Sequence, residues 1–323
     1  MMDLRACSRC QRGIALLTVL LVVFLASLTA VALASLQQLA IRRSAVLLHH
    51  EQAKLYTLGA EQWAMAILER DRKNSEIDHL NEPWAALPAL LNVENGTLSN
   101  KLYDLQGRFN LNSLIRVDSE TSTASVDEQQ LKILQRLLGK LDLNPGIAQA
   151  IADWIDPDQE MLFPDGAEDG DYIGYTPAYL AANQTFQSVT ELRLIKGVDQ
   201  AVYDDLAPYV SVLPSTEPLN INTAPGVVLA ALTGEVAEVS RLRQGMHEPY
   251  DNIENFLQDT GITEAEISSD KLAVSSRYFM LVAQAEIGES RAMLSSVLYR
   301  PDSGRIQVIM RSFGMDSFAT HKK

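Results

Sequence analysis

Between Gly13 and Ile41 the chain carries no charged residue, and this run constrains the fold more than any other feature. A bilayer core takes roughly 20 apolar residues in helical form, so Ile14-Ala15-Leu16-Leu17-Thr18-Val19-Leu20-Leu21-Val22-Val23-Phe24-Leu25 and its continuation read as a membrane-spanning helix. Arg5, Arg9 and Arg12 precede it, and the positive-inside bias keeps them in the cytoplasm while the remainder is exported. An ordinary secretory signal places its small-residue cleavage site after a shorter apolar core. Here the small residue, Gly13, comes before the apolar run. A peptidase cutting after Gly13 would leave the whole apolar helix on a mature chain that begins at Ile14; an uncleaved single-span anchor is the alternative.

Behind the anchor, 323 residues leave room for two globular parts. The formal charge of -14 repels nucleic acid and anionic lipid and attracts cations. Cys7 and Cys10 are the only cysteines, and no second pair completes a zinc site. Both precede Gly13, so cleavage there would leave no thiol.

Helical character continues past the span, with Leu48, Leu55, Leu58, Met65 and Leu68 at spacings of seven and three, an apolar stripe. Arg70, Arg72 and Lys73 crowd a C-terminus that Asn74 ends. A continuous helix from Ile14 to Lys73 would run about 90 Å. His49 and His50 are adjacent and so do not share a helix face, which argues against a metal site there. Trp63 reads as a core residue, and Trp84 as one that caps a core. Leu102-Tyr103-Asp104-Leu105 and Arg108-Phe109-Asn110-Leu111-Asn112, split by Gln106-Gly107, read as a β-hairpin. Asp118 to Ser125 reads as a linker. Helices follow from Asp127 to Leu141, from Ile147 to Trp154 or Ile155, up to Leu206, from Gly226 to Leu232, from Asn252 to Gln258 and around Thr263 to Ile267. Three runs near the end, Tyr278 to Ala283, Arg291 to Tyr299 and Arg305 to Met310, have short connections and predict an antiparallel meander. A hairpin and a distant meander can join in one sheet, which makes the helical block an insertion.

The strongest chemical signal lies in that block. Residues 153 to 171 hold eight carboxylates, Asp153, Asp156, Asp158, Glu160, Asp165, Glu168, Asp169 and Asp171, and no basic residue occurs between 141 and 192. Such density costs self-repulsion unless a cation offsets it or the loop stays solvated. Asp156-x-Asp158-x-Glu160 matches the first three ligand positions of an EF-hand loop, but Met161 stands where Gly is needed and Ala167 where the bidentate Glu belongs. The segment is therefore no EF-hand, although hard oxygen donors still favour Ca²⁺ over Zn²⁺. Trp154, Phe163, Tyr172 and Tyr175 interleave with the acids and argue for an ordered loop over a solvated one.

Ser188 to Val198 and Leu219 to Pro225 resemble helix-hairpin-helix halves, which raises a membrane-tethered DNA-binding protein as an alternative. Arg193 and Lys196 are nearly alone among acids, so the usual electrostatic attraction is missing and a packing module is favoured. There is no G-x-S-x-G, P-loop, H-E-x-x-H or G-x-G-x-x-G motif, and a calcium-dependent hydrolase would lack a catalytic constellation.

The leader ending at Gly13 before a long apolar helix resembles the class III signal of type IV pilins and pseudopilins. Asp153-Trp154-Ile155-Asp156-x-Asp158, Gly166-Ala167-Glu168-Asp169-x-x-Tyr172, Glu191-Leu192-x-Leu194-Ile195-x-Gly197 and Asn220-x-Asn222-Thr223-Ala224 resemble the K-type minor pseudopilins of type II secretion. The resemblance implies an α+β fold: a pilin-like transmembrane helix packed on a small antiparallel sheet, with a large all-α insertion of SAM-like or helix-hairpin-helix-like character. The implied organisation is a cleaved leader 1–13, a transmembrane helix 14–36, a pilin-like helix and first hairpin 37–118, an inserted helical domain 119–270, a C-terminal meander 271–312 and a tail 313–323.

It further implies cleavage after Gly13 by a prepilin peptidase, methylation of Ile14, residence in the inner membrane with the head in the periplasm, and no enzymatic activity. Calcium held by the acidic loop belongs to the same expectation, with Asp156, Asp158, Glu160, Asp165, Glu168, Asp169 and Asp171 as candidate ligands. Most pseudopilins have Glu at the fifth mature residue, where this chain has Thr18, and K-type subunits share that departure. The implied partners are I-type and J-type minor pseudopilins, other pseudopilins and the inner-membrane assembly platform, with no nucleic acid. The implied function is to cap the pseudopilus tip and to prime or limit its assembly for export of folded proteins.

Overall fold

A computed structural model of the chain describes residues 11–117, 123–234, 248–263 and 266–314. Its spine is helix α1, Gln11–Asn74, 64 residues without a break and with Arg72 and Lys73 in the last turn, where positive charge suits the helix dipole. The side chains of its apolar half from Ile14 are exposed, with no sheet or helix of the described residues packed on them. Cys7 and Cys10 lie outside the described residues.

Farther along, α1 rests on the sheet through Ala53, Thr57, Ala60, Ala64 and Leu68, spaced three and four residues apart. This corrects the expected leucine stripe. Leu48 and Leu55 are 70% and 67% exposed, and of that set only Leu68 is fully buried. Small side chains let the helix axis approach the strands closely, so the alanine face goes inward and the bulky leucines turn out. Trp63 is only half-buried. Trp84 does close the core, edge-on to Phe279 with ring centroids 5.2 Å apart, and its indole N–H donates to Glu82 at 2.7 Å.

Two strands follow α1: β1, Leu90–Val93, and β2, Gly96–Asp104. They are the first hairpin, turning at Asn95, which has a positive φ of 63°. The expected hairpin around Gln106-Gly107 does not form. The chain instead leaves the sheet after Asp104, and Gly107 passes so close to Thr223 that a Cβ would stand 2.7 Å from the Thr223 hydroxyl.

The segment that follows is built as a separate body. Strand β3, Phe109–Asn110, enters it, and β4, Ile115–Val117, pairs antiparallel with β5, Ala124–Val126, where a plain linker was expected. Residues 118–122 of that stretch lie outside the described residues. Helix α2, Glu128–Lys140, starts at Asp127, whose carboxylate accepts from the Gln129 and Gln130 amides, and α3, Ile147–Ile155, packs beside it. Then come α4, Asp169–Tyr172, and α5, Gln200–Leu206, before β6, Val210–Ser211, which pairs in parallel with β3. Strand β7, Leu219–Asn220, helix α6, Gly226–Thr233, and helix α7, Ile253–Thr260, complete the block with β8, Leu272–Ala273, which pairs in parallel with β7. The small helix expected around Thr263 to Ile267 includes 264–265, outside the described residues. One apolar core, centred on Leu134, Leu137, Leu138, Ile151, Leu192, Leu206 and Leu229, belongs to this body alone.

The chain returns to the sheet as β9, Tyr278–Ile287, β10, Ser290–Tyr299, and β11, Gln307–Phe313. The sheet is antiparallel throughout, in the order β1-β2-β9-β10-β11, so β2 and β9 are neighbours with the helical body between them in sequence. On β9 every second residue, Phe279, Leu281, Ala283, Ala285 and Ile287, is fully buried against α1. Two ionic clasps fix the helix to the strands. Glu61 accepts from Arg311 at 2.6 Å and from Ser296 at 2.5 Å, while Arg300 joins Asp71 at 3.1 Å and also pairs with Asp78.

Sheet and helical body meet at Asp104. Its carboxylate accepts from Thr223 at 2.5 Å, Ser276 at 2.6 Å, the Gln106 amide at 2.8 Å and Asn220 at 3.3 Å. Burial is the dominant influence on this group and pushes its pKa from 3.8 up to about 6. With the folded value above the unfolded one, the contribution of Asp104 to stability is full below pH 3.8 and is lost as pH rises through about 6. In urea unfolding at a series of pH values, Asp104→Asn should remove this dependence, so that the stability difference between parent and variant changes by about 3 kcal/mol from pH 3.5 to 7.

Candidate metal centre

The acidic loop runs from the end of α3 to the start of α4, and Asp153 organises it. That residue sits on the buried face of α3, and its carboxylate accepts from the Leu162 amide at 3.2 Å and from the Ala167 amide at 2.8 Å. Gly166 is needed where the loop folds back, because a Cβ there would collide with the Asp153 carboxylate. Aromatic rings brace the far side. Trp154 meets Tyr172 edge-on at 5.2 Å, and Tyr179 stacks on Tyr172 at 5.5 Å and on Tyr175 at 5.6 Å. Phe163, expected among these rings, is 85% exposed and takes no part.

This frame brings three carboxylates together: Asp156, Asp158 and Glu168 each offer an oxygen, all within 4.8 Å of one another. Asp156 and Glu168 are only 3% and 8% exposed, yet Asp156 Oδ1 and both carboxylate oxygens of Glu168 have no hydrogen-bond partner among the described residues. Asp158 is exposed, and its Oδ1 accepts from the Glu160 amide at 2.8 Å, which turns the loop back toward the cluster. Burial first and the neighbouring carboxylates second push Asp156 and Glu168 up to about 7; burial likewise lifts Asp153 to about 6. Hard, crowded oxygens with no donor to satisfy them fit a hard divalent cation, which Asp156, Asp158 and Glu168 would hold.

The other sequence candidates stand apart from this triad. Glu160 and Asp165 are exposed, the latter donating its amide to Gln149 at 3.1 Å. Asp169 accepts from the Ala181 amide at 2.9 Å, and Asp171 is paired with Lys196 at 2.8 Å, which draws its pKa down. Asp153 was not among the candidate ligands although it shapes the loop. The available signal was an aspartate inside an otherwise apolar helical face, Ile151-Ala152-Asp153-Trp154-Ile155.

The remaining sequence candidates also have definite places. Gly13 and Ile14 lie within the continuous helix α1, and the Thr18 hydroxyl donates to the Ala15 carbonyl at 2.9 Å, inside its own helix. The cations considered for phosphate contacts are engaged, Lys196 with Asp171 and Arg193 over the Tyr203 ring at 4.2 Å. A second carboxylate trio, Asp71 of the last turns of α1 with Asp78 and Glu82 just beyond it, has Arg300 bound to the first two.

Comparison with known proteins gives a consistent set of relatives. A family model described as type II secretion system (T2SS), protein K, matches residues 107–215. Type II secretion system protein K of Pseudomonas aeruginosa is 39% identical, over 95% of this chain and 94% of that protein. The protein of the same description from Klebsiella pneumoniae is 34% identical, over 94% of this chain and 97% of its own length. Among solved structures, a chain of the GspK-GspI-GspJ complex from the enterotoxigenic Escherichia coli type 2 secretion system superposes with a TM-score of 0.72 at 27% identity, covering 85% of this chain and 100% of that one.

The orphaned oxygens make a stability prediction of opposite sign in two buffers. In calcium-free buffer at pH 8, Glu168→Gln should melt higher than the parent, by the equivalent of about 1–3 kcal/mol, because it removes a buried, unpartnered charge. On titration with calcium the parent should gain stability and the variant should not, which inverts their order; Glu160→Gln should behave as the parent in both. Differential scanning calorimetry reads all three.

Proposed function

Because the chain belongs to the type II secretion system protein K family, we propose that this minor pseudopilin stands at the tip of the pseudopilus, bound to I-type and J-type minor pseudopilins. The observation that carries the tip position is Thr18. At the fifth residue of a chain beginning at Ile14, a Glu could neutralise the N-terminal amine of a neighbouring subunit inside the low-dielectric bilayer. Thr18 carries no charge and spends its hydroxyl on Ala15. A subunit lacking that carboxylate has nothing to offer the amine of a subunit ahead of it, so addition stops there.

The helical body between β2 and β9 supports the same reading by bulk. It is wider than a hairpin loop, is held by its own core, and would obstruct a further subunit at that end. The membrane half of α1 would pack with the corresponding helices of its partners in the inner membrane, with the head in the periplasm. Crystallisation of a structural relative as a GspK-GspI-GspJ complex supports the choice of partners. The activity proposed is assembly without catalysis: a tip complex that primes the filament and thereby export of folded proteins.

Calcium is the cation we assign to Asp156, Asp158 and Glu168, with a structural role. When bound it supplies positive charge that offsets three crowded carboxylates. The chain's part is to hold them in place, through Asp153 on the loop amides and the Trp154–Tyr172–Tyr179 stack beneath.

Intact-mass analysis of membrane-extracted protein should find a start at Ile14 with one added methyl in cells that have a prepilin peptidase, and the unprocessed leader in cells without it; a retained leader in both overturns the processing. Thr18→Glu should yield long filaments with this protein distributed along them, scored by immunogold labelling. Parent protein found along the shaft would overturn the tip assignment.

A further inference from the structure

Arg42 and Arg43 end the uncharged run that follows Arg12, and both are exposed. No Asp or Glu occurs between Leu4 and His50, and the first carboxylate beyond the pair, Glu51, stands about two helical turns away. Neither arginine has an ion pair among the described residues. In a chain with a formal charge of -14, this is a basic pair without local compensation. Membrane topology does not account for it, because the positive-inside bias disfavours basic residues beside the exported end of a span.

Helix geometry fixes their depth. From Ile14 to Ile41, α1 rises about 42 Å, and a bilayer measures about 40–45 Å across with its headgroups. With Ile14 at one surface, Arg42 and Arg43 reach the phosphate level of the opposite leaflet.

Spacing fixes their direction. Arg42 and Arg43 precede Val46, His49, His50 and Ala53 in steps of three and four, so they continue the face of α1 that lies against the sheet. The sheet ends about one turn farther along. In the turn between β9 and β10, Ser290 donates its hydroxyl to the Val46 carbonyl at 3.1 Å. Gly288, with a φ of 55°, comes so near His49 that a Cβ would stand 2.7 Å from its Nδ1. The strip that offers alanines to the strands therefore offers arginines where the strands stop, toward the gap between the rim of the head and the membrane surface. The acids around that gap are accounted for. Glu286 is paired with Arg291 at 2.6 Å, while Glu94 and Glu289 are exposed on the two turns. The rim itself is acidic, so contact with an anionic surface falls to the arginines.

We propose that Arg42 and Arg43 bind the phosphate of an anionic phospholipid in the exported leaflet, and that this contact seats the head on the bilayer. Guanidinium groups match phosphate oxygens with paired N–H donors. Each basic residue at an anionic surface gains several-fold in affinity, so two correspond to a preference of roughly tenfold or more over a zwitterionic lipid. The inference rests on α1 crossing the bilayer and is independent of the tip position and of the cation triad.

The test titrates the full chain in non-ionic detergent with short-chain phosphatidylglycerol or phosphatidylcholine, and native mass spectrometry reads the lipid retained. Half-saturation should come at a concentration about tenfold lower, or less, for phosphatidylglycerol, and the difference should shrink in high salt. Arg42→Gln with Arg43→Gln should cut the preference to below about twofold. Arg42→Lys with Arg43→Lys should keep most of it, and Arg116→Gln with Arg305→Gln, at exposed positions on the head, should leave it unchanged. Carbonate extraction of cell membranes checks the anchor separately, since parent and variants should all stay with the membrane. Release of the parent would remove the spanning helix and the proposal with it. In a parent that stays membrane-bound, equal half-saturation for the two lipids, or a preference unchanged in the double Gln variant, would overturn the lipid site alone.

Discussion

Asp104 is the point on which the two bodies depend. It ends β2, the last residue of the sheet before the chain departs, and its carboxylate gathers Thr223 and Asn220 from the helical body and Ser276 from the returning chain. Gln106 extends the same junction. Its oxygen accepts from the Arg277 and Tyr278 amides at 2.6 and 3.2 Å, and its amide donates to Pro218 at 3.0 Å. Each is a polar group removed from water, so each loses more when its partner goes than it gains when the partner is present. The junction is therefore a poor source of net stability and a strict determinant of geometry. A sheet whose neighbouring strands are separated by a whole helical body needs such a determinant, because loop-closure entropy otherwise leaves the body free to reorient.

Helix α1 answers a different constraint, since one continuous helix must be soluble in two media. Its membrane half offers large aliphatic side chains all round, and its other half offers the sheet a narrow strip of Ala53, Thr57, Ala60 and Ala64. Close approach through small residues maximises dispersion contact between backbone and strands. It also explains why Glu61 can be fully buried in that interface. The strip brings its carboxylate within reach of Arg311 and Ser296, so the charge is paired as it is desolvated.

Much of this was legible in the sequence. The uninterrupted apolar run, the helices of the insertion and the C-terminal meander follow from periodicity, and Trp84 behaved as its neighbours suggested. The failures have physical causes. The leucine stripe obeyed helical spacing as well as the alanine strip did, and only the partner's shape decides which face goes inward. Gln106-Gly107 carries the chemistry of a turn but serves a close approach to Thr223 dictated by residues more than a hundred positions away. In the acidic loop, density of charge identified the region. Which oxygens converge depends on the Asp153 bonds to the Leu162 and Ala167 amides, and no spacing rule encodes those.

The chain handles crowded carboxylates in three ways, and the comparison gives the acidic loop its meaning. Asp104 is satisfied by neutral donors. Asp71 and Asp78 are satisfied by Arg300, with Glu82 taking the Trp84 indole and the His79 amide, though Asp78 keeps one oxygen unpaired. At Asp156, Asp158 and Glu168 neither solution is present: the oxygens turned inward find no donor among the described residues, and Lys196 is already committed to Asp171. A sequence with no basic residue from 141 to 192 has no local means of supplying one. The aromatic stack and the Asp153 bonds nevertheless hold those oxygens together, and the cation proposed for this site would supply from outside the compensation that the loop's own residues do not. The first two clusters are closed by the protein's own side chains, and the third is the one that leaves carboxylate oxygens free for the proposed cation.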